Sequence, residues 1–231
     1  RICVFTVGGR ISLSSPLYIT TPYLTVAGQT APGDGIFISA AGFPTGTYPS
    51  CNFGSGEDTI TLDNSAHDVI WTYTKVAKGF NQCLADKFNA TGNSGGANFN
   101  TYSGVYNAIL DHNSTYWNID EGMGAWNDID QCGGVNCRLD HVTFSYNILA
   151  EALATHSTAS LLGGAYSSRV TALDMHHNLM MTNSHRNPMV EVSEYRHVNN
   201  LTYNNQLRMA QLQTVATFIY SDWIRNIWKN G

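Results

Sequence analysis

The sequence predicts an all-β protein: a right-handed parallel β-helix, which is a solenoid of short strands, with long loops and an asparagine ladder. Two observations lead to this prediction. Short apolar runs are separated by Gly, Asn, Ser and Pro along the whole chain. Several runs also end in an asparagine that recurs at intervals of roughly 20 to 35 residues, within the range of solenoid repeats. These asparagines are Asn113, Asn147, Asn178, Asn200 and Asn226.

The N-terminal third is predicted to contain short strands with corners rich in glycine and proline. The predicted strands cover residues 11–13, 17–19, 23–27, 36–39, 59–62 and 68–74. Residues 28–35 carry three glycines and a proline, which favour a tight corner. No amphipathic helical period is sustained, apart from an ambiguous stretch at 205–215.

The later strands share one shape, an apolar pair followed by a polar turn with asparagine. They cover residues 107–113, 141–147, 173–178, 197–200 and 222–226. Rungs of a β-coil lie about 4.8 Å apart, so equivalent asparagines stack and satisfy one another and the turn backbone. Unequal repeats favour such a coil, because only its strands must align. Alternation predicts that Val142, Phe144, Tyr146 and Ile148 point one way. A β-sandwich is the alternative fold.

Composition and net charge argue against several classes of function. The 231 residues are expected to form a single domain, 1–231, that lacks its terminal portions. Only 13% of residues are charged, about half the usual share. The net charge of −5 argues against nucleic-acid binding, and no run approaches the roughly 20 apolar residues of a membrane span. Because residues 1–5 already resemble a strand, we expect the mature chain to follow a leader.

The five cysteines match no zinc-binding pattern. Cys132 and Cys137 enclose a short loop that a disulfide could close, and the alternative is that all five are thiols. Three Asn-X-Ser/Thr sites suggest a secreted glycoprotein modified at Asn89, Asn113 and Asn200.

Two predicted long loops, 77–104 and 117–137, interrupt the repeats, and binding sites are common on such loops. The second contains Asp120, Glu121, Asp128 and Asp130. Hard oxygen ligands on an irregular loop suit calcium. The alternative is a solvated acidic loop.

The histidines divide by position. His112 and His177 directly precede ladder asparagines, so we expect a stacked structural role for them and for His176. His156 and His185 lie outside those positions and are the candidates for binding. The sequence has no nucleophile elbow, no P-loop and no clear Cys-His dyad.

Several collinear motifs resemble the pectate lyases of the parallel β-helix superfamily, almost from end to end. The block 110–114, followed by Trp117 and Asp120-Glu121, resembles their Asp-His-Cys-Ser-x-x-Trp and Asp-Glu block. The other matching segments are 9–13, 24–33, 142–151, 177–178, 186–188 and 198–200.

The resemblance implies a secreted lyase that cleaves an acidic polysaccharide, polygalacturonate, by calcium-assisted β-elimination. It implies that Arg186 removes the C5 proton, or alternatively stabilises the charge of the intermediate. The implied calcium ligands are Asp120, Glu121, Asn98 and Asp130, and the expected substrate contacts are His156, His185 and Asp111. No nucleic acid or membrane partner is expected. We expect a monomer, with end-to-end stacking as a further option.

Three positions depart from the family pattern. Asn98 stands where relatives carry an aspartate, His156 stands where many carry a lysine, and Met189 and Glu191 follow Pro188 where a basic residue is common. These departures motivate an alternative function, a non-catalytic β-helix that acts as a structural, adhesive or glycan-binding module. A polygalacturonase-type hydrolase is disfavoured because its Asn-Thr-Asp and Gly-His-Gly motifs are absent.

Overall fold

The computed structural model describes residues 1–51, 58–63, 65–91, 96–127, 138–153, 156, 158–164, 170–213 and 219–231. Over these residues the chain winds through three parallel sheets, and successive strands enter successive sheets in turn. This is the predicted parallel β-helix, and the right-handed form is the one that twisted strands favour for parallel crossovers. The β-sandwich alternative is therefore wrong.

Strands are numbered in chain order and are grouped here by sheet. Sheet 1 contains β1 (Ile2–Val4), β4 (Leu24–Ala27), β7 (His67–Thr72), β10 (Tyr106–Asp111), β13 (Leu139–Ser145), β16 (Val170–His176), β19 (Glu194–Val198) and β22 (Tyr220–Ile224). Sheet 2 contains β2 (Gly9–Ser12), β5 (Ile36–Ser39), β8 (Thr74–Ala77), β11 (Ser114–Tyr116), β14 (Ile148–Ala150), β17 (Leu179–Met181), β20 (Leu201–Tyr203) and β23 (Ile227–Lys229). Sheet 3 contains β3 (Leu17–Ile19), β6 (Ile60–Leu62), β9 (Phe99–Tyr102), β12 (Glu121–Trp126), β15 (Thr158–Gly163), β18 (Met189–Val190) and β21 (Gln211–Leu212).

The core consists of side chains stacked in columns from rung to rung. In sheet 1, one column contains Val69, Ala108, Val142, Leu173 and Tyr195, which are paired in register and almost inaccessible to solvent. Each fully buried large aliphatic side chain contributes roughly 1.5–3 kcal/mol. The columns therefore hold the strands in register, because a one-residue slip would expose a whole column.

The predicted alternation fails at the corner. Val142 and Phe144 are buried, but Tyr146 and Ile148 are 46% and 42% exposed. Tyr146 adopts a left-handed conformation, with φ of 53°, and turns the chain from sheet 1 to sheet 2. The period-2 pattern stops where the strand stops.

The asparagine ladder runs along this corner as predicted. The backbone N–H of Asn113 donates to Oδ1 of Asn147 (2.8 Å). Asn147, Asn178 and Asn200 each donate in the same way to the next asparagine of the ladder at 2.9 Å. The residue before each ladder asparagine has a positive φ, which is costly for a residue other than glycine. The ladder offsets that cost by satisfying buried polar groups.

The expected histidine stacking is confirmed beside the ladder. The ring of His112 lies between those of Tyr73 and Tyr146, at centroid distances of 4.6 and 4.8 Å, and Tyr146 also stacks on His177 at 4.7 Å. His176 contacts His177 edge-on. Tyr73, His112, Tyr146 and His177 occupy one position of successive rungs, so their stack follows from the repeat, whereas His176 is the last residue of β16.

The two predicted long loops contain regular structure. Residues 77–104 include helix α1 (Gln82–Thr91) and strand β9, and residues 117–137 include strand β12. Strands β9 and β12 of sheet 3 escape sequence prediction because they contain Asn, Thr and Gly between their apolar residues. In the ambiguous stretch 205–215, the described part contains strand β21 and no helix.

The described residues contain one disulfide, between Cys51 and Cys83, whose Cα atoms are 6.1 Å apart. It connects the start of α1 to the segment between β5 and β6. Sequence spacing could not identify this pair. The predicted Cys132–Cys137 bond lies outside the described residues. Cys3 is an exposed free thiol.

Of the three predicted glycosylation sites, only Asn89 is exposed. Asn113 and Asn200 are 1% and 2% exposed, and their amide nitrogens donate to buried carbonyls. A glycan on either nitrogen would break the ladder, so the folded chain does not support glycosylation at these two positions.

A buried histidine in the last rungs predicts loss of stability in acid. His197 is fully buried beside Tyr195 and Trp223, and burial lowers its pKa to about 3. The unfolded chain then binds a proton as pH falls below about 6.5, while the folded chain does not until near pH 3. This histidine therefore removes stability over that window, about 2 kcal/mol by pH 5.

We expect His197→Gln to lose less stability than the wild type between pH 7 and pH 5. Urea unfolding at both pH values measures this difference. The exposed His141 is the matched control, and His141→Gln should follow the wild type. An equal acid loss in wild type and His197→Gln would contradict the assignment.

Candidate functional site

The buried Asp, Glu and Lys side chains of the described residues all lie in or beside sheet 3. They are Asp58, Lys78, Asp120, Glu121 and Glu191. Buried charge is costly unless it is paired, so its concentration on one side of an otherwise apolar coil marks a site.

The parallel register of sheet 3 brings the residues of this site close together at the amino-terminal ends of its strands. The N–H of Asn98 donates to the carbonyl of Glu121 (2.8 Å), and that of Thr158 donates to the carbonyl of Asp120 (3.3 Å). One rung further, Ser160 donates to the carbonyl of Arg186 (2.9 Å). Residues far apart in sequence therefore lie within neighbouring rungs, about 4.8 Å apart.

Arg186 is the most accessible cation of this group. Its side chain is 20% exposed, and Nη1 donates to Oε1 of Glu121 in a close ion pair. The same nitrogen lies 3.9 Å from Oδ1 of Asp120. A guanidinium between two carboxylates has a fixed orientation. The predicted functional Arg186, Asp120 and Glu121 are thus brought into contact.

The acidic pair is strained electrostatically. Burial and then the charge of Asp120 raise the pKa of Glu121 well above its usual value, and Arg186 opposes this rise. The pair therefore depends on nearby cations to remain ionised.

The two freer histidines join the same site. Nδ1 of His156 lies 2.9 Å from Oδ1 of Asp120, and the rings of His156 and His185 are 5.1 Å apart. Burial, followed by the charges of His156 and Arg186, lowers the pKa of His185 to about 4. His185 is therefore neutral at pH 7 and can accept or donate a hydrogen bond to a bound ligand.

The described residues do not form a fitting calcium site. Oδ1 of Asn98 accepts the N–H of Lys78 (2.8 Å), and its amide donates to the carbonyl of Tyr116 (2.8 Å), so its oxygen is turned into the fold. Asp120 and Glu121 already face the guanidinium of Arg186. Across the described ranges, no three His, Cys, Asp or Glu side chains are grouped to hold a metal. Asp128 and Asp130 lie outside those ranges.

Asp111 lies elsewhere. It ends β10 in sheet 1 at the ladder corner, where it contacts Nδ1 of His112 (2.5 Å) and accepts from Oγ of Ser145 (2.5 Å). The structure therefore does not bring Asp111 to the site with His156 and His185, because its side chain belongs to another corner of the coil.

Lys78 and Asp58 are members of the site that sequence reasoning missed. Lys78 follows β8 and is 4% exposed, and its Nζ donates to the carbonyl of Gly96 (2.8 Å). Asp58 accepts from the N–H of Ala97 (2.6 Å) and from Thr61. The available signal was a lysine directly after an apolar strand end in a chain with few charges.

The residues after Pro188 turn toward the coil. Met189 is 8% exposed and Glu191 is 6% exposed, with Oε2 of Glu191 3.4 Å from the N–H of Gly164. Burial raises the pKa of Glu191. A Cβ on residue 163 would clash with the Glu191 carboxylate, so the absence of a side chain at Gly163 leaves the space that this carboxylate occupies.

Comparison with known proteins shows similarity to fungal proteins named probable pectate lyase C. The chain is 29% identical over 208 residues to those of Aspergillus flavus, Aspergillus oryzae and Emericella nidulans, with 88% of this chain aligned. The match covers 38% of each relative's length. No family model and no solved structure matches. Among the described helices, none has the length and apolarity needed to cross a bilayer.

Proposed function

We propose, starting from this similarity to proteins named probable pectate lyase C, that the chain is the β-helix of a secreted lyase that cleaves an acidic polysaccharide by β-elimination. The observation that carries the proposal is the position of Arg186. Arg186 carries a partly exposed guanidinium that is held beside a buried acidic pair, at the amino-terminal ends of the strands of sheet 3. A uronate polymer offers the carboxylate that such a group binds.

In the proposed reaction, a base takes the C5 proton of a uronate, and the electrons of the C5–H bond form the C4–C5 double bond. The neutral imidazole of His185 is a group of the described site that can accept this proton. The C4–O bond to the leaving sugar then breaks, and the leaving oxygen takes up a proton. Negative charge develops on the substrate carboxylate as the C5 proton departs. Arg186 lies where it can stabilise that charge.

Of the two roles considered for Arg186, charge stabilisation has more support than proton abstraction. The guanidinium is paired with the carboxylates of Asp120 and Glu121, and arginine side chains stay protonated in proteins. A protonated arginine cannot accept the C5 proton but can hold the resulting anion. No step in this scheme passes through calcium, because the described residues do not fit that ion.

The second candidate is a non-catalytic, glycan-binding or structural β-helix. It is favoured by Glu191, a carboxylate beside Arg186 that opposes the approach of a polyanion. This function requires no catalytic residue, only a surface that binds a glycan or stacks against another β-helix.

Incubation with polygalacturonate separates the two functions. Elimination leaves a double bond conjugated to the carboxylate, so we expect absorbance to increase at about 235 nm. The assay should be run with and without calcium and with polymers of other uronates. Absence of unsaturated product from every polymer, while binding is retained, would support the non-catalytic function.

A further inference from the structure

Lys78 is a lysine buried inside an acidic site. It is 4% exposed, and both its backbone N–H and its ammonium are fixed, by Asn98 Oδ1 and the Gly96 carbonyl, each at 2.8 Å. Fully buried lysines are rare unless they are paired with an opposite charge. The position of Lys78 therefore needs an electrostatic reason.

Three buried carboxylates supply that reason. The charge of Lys78 interacts with those of Asp58, Asp120 and Glu121, which are 6%, 3% and 6% exposed. Burial lowers the pKa of Lys78 to about 8, and the three carboxylates oppose this fall.

The described site already sets two cationic side chains against its buried carboxylates. Three carboxylates, those of Asp58, Asp120 and Glu121, face Lys78 and Arg186, with His156 beside Asp120. A divalent cation among them would meet these two positive side chains, and it would have to compete with His156 for Asp120 and with Arg186 for Glu121. At the same edge, Asn98 brings no charge, and its oxygen is already occupied.

We infer that the Lys78 ammonium offsets part of the charge of this acidic cluster in place of a divalent cation, so that Asp120 and Glu121 are held beside Arg186 without calcium. The inference concerns the site of the proposed function but does not rest on it. It assigns to Lys78 a positioning role, because its ammonium is buried, is held by the Gly96 carbonyl and interacts with the charges of these carboxylates.

The first test is the calcium response of the wild-type protein, measured by thermal unfolding and by calorimetric titration with calcium chloride. A site filled at about 100 times its dissociation constant would raise Tm by about 5–10 °C for a chain of this size. We expect Tm to be the same in calcium and in EDTA, and no saturable heat. A calcium-dependent rise in Tm overturns the inference.

The second test removes the ammonium. Lys78→Ala should lower Tm by more than Lys75→Ala, the matched control on β8, whose Lys75 ammonium is exposed and bonds the Asp34 carbonyl. Lys78→Arg keeps the charge and should remain folded and indifferent to calcium. Calcium that restores Tm in Lys78→Ala alone supports the inference. Equal Tm values for Lys78→Ala and Lys75→Ala overturn it, and if Lys78→Ala does not fold, the wild-type response still decides.

Activity distinguishes this inference from the proposed function. Unsaturated product formed in EDTA supports both. Product that requires calcium overturns only the inference. No product from any polymer, with a wild-type Tm that ignores calcium, overturns only the proposed function.

Discussion

Replacing Arg186 with alanine is expected to lower the rate of unsaturated product formation by roughly 10²–10⁴-fold, the usual range for a group that stabilises charge or transfers a proton at the reacting centre. The guanidinium is the one partly exposed positive side chain that the described structure shows against Asp120 and Glu121. Its loss would leave the developing substrate charge facing two carboxylates. Product absorbance on polygalacturonate measures the effect.

Two variants control this experiment. Arg196→Ala removes an exposed arginine that pairs with Asp174 in sheet 1, and it should retain wild-type activity. Arg186→Lys keeps the charge without the planar fork, so we expect activity between that of wild type and Arg186→Ala. Full activity in Arg186→Ala, with folding unchanged, would remove Arg186 from the mechanism.

Replacing Asn178 with alanine is expected to lower the free energy of unfolding by about 3–5 kcal/mol, because several buried groups lose their partners at once. Oδ1 of Asn178 accepts from the backbone and side-chain nitrogens of Asn147 (2.9 and 3.1 Å). Its amide donates to the carbonyl of Phe144 (2.8 Å) and to Asn200 (3.0 Å). Each orphaned buried group costs roughly 1–3 kcal/mol.

Denaturant unfolding measures this change. Asn178→Asp tests the donors separately, since it keeps the shape and the acceptor but loses both N–H groups, and it should also be destabilised. Asn89→Ala, at an exposed position of α1, is the control and should unfold like the wild type. A loss below about 1 kcal/mol in Asn178→Ala would mean that water replaces the ladder.

Repetition made much of the fold predictable. The ladder asparagines and the histidines before them recur once per rung, so one local pattern, read several times, specifies both the corner and its stacking. Strands β9 and β12 of the third sheet were not predictable in the same way. They carry few β-branched residues, β12 contains two glycines, and both form because neighbouring rungs hold them in register.

The candidate site likewise contains residues that the sequence identified and residues that only the structure shows. Arg186, Asp120 and Glu121 were identified from sequence because they stand in recognisable motifs. Lys78 was not, because an isolated lysine in sequence is usually a solvated side chain. Asn98 was recognised as a departure from the family, but its turn into the fold, toward the Lys78 backbone, could be seen only in three dimensions.

The sequence by itself determined the repeating coil, its asparagine corner and the presence of an arginine near acidic residues, because these are local patterns or short motifs. Only the tertiary structure decided which charges meet. Asp58, Lys78, Glu121 and Arg186 lie on four different turns of the chain, and register alone brings them to one edge of sheet 3. Because these residues are far apart in sequence, the interactions among their charges can be identified only in the folded chain.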